Sequence, residues 1–384
     1  MSLIRYVSFM LSAAVLISCY SPVEASDRMH PQSMVLLVTP KMIHDFNQPD
    51  GDIAEFFRHY SPLTSKAAET VVIFAVGNSD HILSYRGMGH WNDSIDWART
   101  TDFIPVSDAT LDYYQLEKIV RAFRTAAAAM KIEIKVFDHI DSGSEFTLRN
   151  DFKYVRHPEC TANQWGMFDI RGSLERDDVG YATAPEGIAK GTTCGDFLAA
   201  QTAAYVHDLG FDGIMFDNQL GTRGRWHDGD GPGYSDAEAL AIDGFLAYSR
   251  KLLGTKGLMW FDSYNNVLVE RETFSFPYSG YGYFDYLIAS GFCVTEKTRP
   301  YSDNLKSKID INGGPRILAT LDYVDPWYTY NSMTDYAGCS TQLEQTAVDF
   351  RYDIDGLMFF ANDERGVLVP QTLIKSFAER YYGN

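Results

Sequence analysis

From Ser33 onward the chain alternates short, nearly continuous apolar runs with longer segments whose apolar residues recur at helical spacing. The runs are Ser33–Pro40, Thr70–Val76, Lys131–Asp138, Gly213–Asp217, Gly257–Asp262, Phe284–Ser290, Arg316–Asp322 and Gly356–Ala361. A parallel strand covered on both faces is apolar almost throughout, so these eight read as buried strands. Between them, 111–130 places Leu116, Ile119, Val120, Phe123, Ala127 and Met130 on one helical stripe. The segment 235–253 opens with the capping box Ser235-x-x-Glu238 and repeats Ala241, Phe245, Tyr248 and Leu252. Helix starts are also marked by Thr341-x-x-Glu344 and by Pro370 in a first-turn position.

Eight strand–helix alternations predict an α/β fold, a (β/α)8 barrel spanning 33–384 as a single domain. An open doubly wound sheet would carry a glycine-rich turn after its first strand, and Thr39-Pro40-Lys41 offers none. A barrel needs about 250 residues. The excess falls in the loops 79–109, 139–192, 218–234 and 263–283, all following strands, on the face where barrel active sites form.

Composition adds bounds. The chain has 384 residues, is 45% hydrophobic and 14% aromatic, and carries a formal charge of −18. Such an acidic protein repels nucleic acid and anionic membrane surfaces, so neither is expected as a partner. Arg5 followed by the apolar run Val7–Ile17 reads as an export signal within residues 1–25. Leu16-Ile17-Ser18-Cys19 resembles a lipobox, with cleavage before Cys19; Val23-Glu24-Ala25 offers ordinary cleavage after Ala25. Lipidating Cys19 leaves an even set, Cys160, Cys194, Cys293 and Cys339, free to form disulfides in an oxidising compartment. Cysteine parity therefore favours a lipoprotein of the bacterial envelope, touching the membrane through that lipid alone, over a secreted or periplasmic protein.

Acids crowd the predicted strand ends: Asp138 with Asp141, Asp217, Asp262, Asp322 with Asp325, and Asp363-Glu364, with Asp80 and Glu296 just beyond strands two and six. Any one Asp is ordinarily a turn or capping residue. Convergence on one rim is different, because mutual repulsion leaves one carboxyl protonated beside an ionised neighbour. That pairing is what glycosidic bond cleavage requires. Trp226 and Trp327, with Tyr264, lie in loops after strands, where aromatic faces suit sugar rings. Asp138-His139-x-Asp141 is a possible metal cluster, but side chains on adjacent residues diverge, so neither metal nor cofactor is expected. No G-x-S-x-G elbow is present.

The stretch Gly210-Phe211-Asp212-Gly213-Ile214-Met215-Phe216-Asp217-Asn218 resembles the fourth-strand motif of the endo-polygalactosaminidase family, glycoside hydrolase family 114. The resemblance implies a barrel glycosidase with Asp217 catalytic and a second acid after strand six, where Glu296 is nearest. A weaker similarity links Asp212 through Gln219 to the D-G-x-x-x-[DN]-x-E strand of families 18 and 85, and Trp260-Phe261-Asp262-Ser263-Tyr264 to a family 85 motif. There Gln219 stands where the proton-donor Glu belongs, which implies a glycan-binding relative without catalysis. The expectation is thus an exported glycoside hydrolase on a neutral or amino-sugar glycan, with surface glycan binding as the alternative. Asp217 is nucleophile or base, its partner acid Asp262, Glu296 or Asp322, and Asp138, Asn218, Tyr264, Trp226 and Trp327 bind substrate.

Overall fold

The computed structural model describes residues 33–77, 113–141, 209–217, 236–262, 282–289, 315–321, 354–363 and 365–383, together with 199, 203, 206, 207 and 348. All belong to one compact unit, Pro31–Asn384. Eight strands close into a parallel barrel in sequence order: β1 (Ser33–Val38), β2 (Glu69–Gly77), β3 (Ile134–Asp141), β4 (Gly213–Asp217), β5 (Gly257–Asp262), β6 (Tyr286–Ala289), β7 (Arg316–Leu321) and β8 (Gly356–Phe360), with β8 pairing back onto β1. The fold is a (β/α)8 barrel. The described helices are α1 (Asp50–Thr64), α2 (Tyr113–Ala129), α3 (Asp236–Leu253) and α4 (Gln371–Tyr382).

Strand registers fix which positions face the bore. Lys135 Nζ on β3 lies 3.2 Å from Tyr286 Oη on β6, and Arg316 on β7 reaches Ser33 Oγ on β1 at 2.9 Å and Glu69 on β2. No linked pair of strands (β3–β6, β7–β1, β7–β2) is adjacent, so the links cross the barrel interior. Side chains alternate along a strand, so Lys135, Phe137, His139 and Asp141 take bore-side positions on β3, and the register carries Gly213, Met215 and Asp217 to the same side of β4. The opposite side packs on helices. Phe74 meets Phe123 of α2 at 5.6 Å, Phe216 meets Phe245 of α3 at 5.6 Å, and Phe359 meets Phe377 of α4 at 5.4 Å.

The bore is filled from its N-terminal end. Glu69 accepts hydrogen bonds from Ser33 (2.9 Å), Lys135 (2.6 Å) and Arg316. Both cations also lie 5.7 Å from the centroid of the Tyr286 ring. Above this network sits Phe137, whose ring occupies space that two glycines leave open. A Cβ on Gly213 would lie 2.6 Å from Phe137 Cζ, and one on Gly257 only 2.1 Å from it.

A repeated clip ties strands together at the same end. Asp212, Asp285 and Asp355 each immediately precede an even-numbered strand, and each carboxylate accepts the backbone N–H of the strand before it: Val136 at 2.9 Å, Leu258 at 2.8 Å and Ile317 at 2.8 Å. Arg124 and Arg250 brace the first two at 2.9 and 2.8 Å. The apolar residue before each Asp (Phe211, Phe284, Ile354) is buried.

Strand limits match the apolar runs closely except at β3, which continues past Asp138 to Asp141. Pairing with β4 extends it, since Asp138 through Asp141 run in register with Ile214 through Asp217. Opposite His139, β2 carries a bulge: Phe74 pairs with Asp138 and Gly77 with Ile140, so two β2 residues face one.

Candidate functional site at the C-terminal mouth of the barrel

Barrel enzymes carry their chemistry at the C-terminal ends of the strands. There Asp141 ends β3 and Asp217 ends β4, and the two are register partners on the bore side. Adjacent strands lie about 4.8 Å apart, which makes these backbone positions immediate neighbours. On the other flank Asp217 pairs with Phe261, which puts Asp262, the last residue of β5, on the helix-side alternation of Leu258 and Trp260. Of the two flanking strand ends, only that of β3 carries its acid at the bore-side register position of Asp217.

Beneath the Asp141–Asp217 pair lies His139, only 1% exposed, with Met215 as its register partner. Asp138, expected among the substrate-binding residues, lies on the helix side of β3, in register with Phe74 and Ile214, and is 2% exposed. Its Oδ1 accepts the backbone N–H of His139 at 2.9 Å. Burial pushes the Asp138 carboxyl up to about 7, against the smaller opposing effects of that hydrogen bond and of the His139 charge.

Across the mouth, the ends of β1 and β8 are locked by Asn362. Its Oδ1 accepts the N–H of Thr39 at 2.9 Å, and its Nδ2 donates to Thr39 Oγ1 at 2.7 Å and to the Asp363 carbonyl at 2.9 Å. Both residues are buried. Asp363, counted from sequence among the rim acids, serves a turn instead. Its carboxylate accepts the N–H groups of Arg365 and Val367, each at 2.9 Å, and pairs with the Arg365 guanidinium at 2.8 Å. Sequence reasoning passed over Asn362, Thr39 and the register partnership of Asp141. Only Asp141 left a signal, as part of the run Asp138-His139-Ile140-Asp141.

Glu296, Asp322, Asn218, Tyr264, Trp226 and Trp327 lie outside the described residues, as do Gln219, the four cysteines Cys160, Cys194, Cys293 and Cys339, and the segment 1–25. Among the described residues no group of three metal-binding side chains converges, and no helix is long and apolar enough to cross a membrane.

The sequence matches no protein-family model and no curated protein. Among solved structures it is similar to a GH20 catalytic module of the pneumococcal exo-β-D-N-acetylglucosaminidase StrH, at 10% identity and a TM-score of 0.48, over 92% of this chain and 84% of that one. It is also similar to the C-terminal domain of a putative chitinase from Desulfitobacterium hafniense (9% identity, TM-score 0.48, 91% and 99% covered). A Rubisco-like protein from Rhodopseudomonas palustris overlaps at 8% identity and a TM-score of 0.42, over 94% and 67%. A barrel plan does not specify function, which has to be argued from the site itself.

Proposed function

We propose that this chain is a glycoside hydrolase acting at the C-terminal mouth of its barrel. The observation that carries the reading is the position of Asp217, on the bore side at the end of β4 with Asp141 as its register partner. Two carboxyls on adjacent strand ends repel, so one keeps its proton while the other ionises. Glycosidic cleavage uses such a division: an ionised group acts as nucleophile or base, and a protonated one delivers a proton to the departing oxygen. Asp217 takes the first role. Asp141, its bore-side register partner, is the first candidate for the second; Asp262 ends the other flanking strand on the helix-side alternation, and Glu296 and Asp322 are supplied by the sequence pattern alone.

The family 114 resemblance supports the same assignment for Asp217. The acidity of the chain favours a neutral or amino-sugar glycan over a uronic acid polymer. The export signal, the lipid on Cys19 and an envelope location belong to this proposal and rest on sequence. Mass spectrometry of the mature N-terminus decides between a lipid-modified Cys19 and a free Ser26.

The test is reducing-end release from a panel of neutral and cationic polysaccharides. Asp217→Asn is expected to lower turnover by at least about 1,000-fold while leaving the circular dichroism spectrum unchanged. Among Asp141→Asn and Asp262→Asn, the variant lacking the general acid is expected to keep turnover on aryl glycosides, whose leaving groups need no proton. A wild-type chain that binds glycans without cleaving any overturns the reading in favour of a binding protein.

A further inference from the structure

We propose that His139 is a positioning residue for the Asp141–Asp217 pair, holding one carboxylate ionised from below. The inference rests on the proposed function and adds to it a residue that neither the acid count nor the family resemblance singles out.

Several independent observations converge on His139. It takes the bore-side position between Phe137 and Asp141 on β3, so it lies directly under Asp141 along the strand. Its register partner Met215 lies directly under Asp217 on β4. With about 3.3 Å of rise per residue and about 4.8 Å between strands, its Cα is roughly 7 Å from that of Asp141 and roughly 8 Å from that of Asp217. An imidazole and a carboxylate together span such a gap.

The position is also built with care. The ring is 1% exposed, and an apolar side chain would fill the same space with no polar group to satisfy. The β2 bulge falls opposite this one residue, and bulges re-aim side chains beside active sites. Charge completes the case. Among the described bore-side residues, Lys135 and Arg316 are committed to Glu69 at the far end. Among the described bore-side residues, His139 is the cationisable one on the mouth side of Phe137. In either tautomer the imidazole offers one N–H donor. Donated to one carboxylate, it keeps that oxygen ionised and leaves the shared proton on the other, with no bond made or broken.

Two measurements on the full chain test this. In the first, kcat and KM are compared for His139→Leu, His139→Gln and the packing control Met215→Leu. His139→Leu is expected to lower kcat about 100-fold with KM within about two-fold, His139→Gln to recover about ten-fold of that loss by its amide N–H, and Met215→Leu to stay within about three-fold of wild type. A kcat for His139→Leu within about three-fold of wild type, or an equal loss in Met215→Leu, overturns the inference. Should His139→Leu fail to fold, the comparison of His139→Gln with Met215→Leu decides the same question.

The second measurement needs no turnover. The ring ¹⁵N signals of His139, assigned by their loss in His139→Gln, are expected to shift in both Asp141→Asn and Asp217→Asn. Signals unmoved by either substitution overturn the inference whether or not the protein cleaves glycans. Shifted signals in a chain without hydrolytic activity would sink the proposed function and leave the positioning role standing.

Discussion

Asp138 and Asp141, three residues apart, show how little a residue type says without its side of the sheet. Asp141 ends β3 on the bore side beside Asp217, whereas Asp138 is turned toward the helices and buried. Raised to about 7, Asp138 couples stability to pH in a defined direction. In the unfolded chain its carboxyl ionises near pH 4; in the folded protein it stays protonated to about 7. Stability from this group is therefore full in acid, falls as pH rises from about 4 to about 7, and stays low above that. Asp138→Asn keeps an acceptor for the His139 N–H and removes the buried charge. It is expected to be more stable than wild type at pH 8 by a few kcal/mol, with the gap closing toward pH 4, as read by urea unfolding at the two pH values. A gap that widens in acid would reverse the assignment.

At the scale of elements, the strands were legible because the barrel buries both of their faces and so writes them as apolar runs. The end of β3 was not, because His139-Ile140-Asp141 interrupts the apolar run and reads as loop; only pairing with β4 shows that the strand continues. Residue type alone did not reveal that Asp363 is committed to a turn, where its carboxylate accepts the N–H groups of Arg365 and Val367. The clip before β4, β6 and β8 was on view in Phe211-Asp212, Phe284-Asp285 and Ile354-Asp355, but two residues repeated three times do not stand out as a pattern until their shared bond is seen. Because the three make the same bond, Asp212→Ala, Asp285→Ala and Asp355→Ala are expected to lower unfolding free energy by similar amounts, about 1–3 kcal/mol each, without changing kcat. Gly213→Ala is a harsher test: its Cβ would meet the Gly257 carbonyl oxygen at 2.5 Å and Phe137 at 2.6 Å. Denaturant titration is expected to show a loss of about 2–3 kcal/mol from overpacking.

For the whole molecule, the N-terminal network sets behaviour in acid. Burial alone would raise the Glu69 carboxyl, but hydrogen bonds from Lys135 and Tyr286 and the Arg316 charge outweigh it and hold it below its ordinary range. Stability from Glu69 is thus present above about pH 4.5 and is lost as pH falls through its lowered folded value. Glu69→Gln is expected to lower stability by about 1–2 kcal/mol at pH 7 and to flatten the acid limb of a melting-temperature profile; an acid limb as steep as wild type would argue against it. Burial, with the Glu69 charge, raises Tyr286 to about 12, so it stays a neutral donor through that whole range.

That network, with the Phe137 ring above it, also stoppers the barrel at one end. A vessel closed at its base cannot be threaded from that side. For the hydrolase proposed above this sets a geometry: a saccharide chain could not be drawn along the barrel axis and would have to lie across the strand ends, with one linkage dipping toward Asp217.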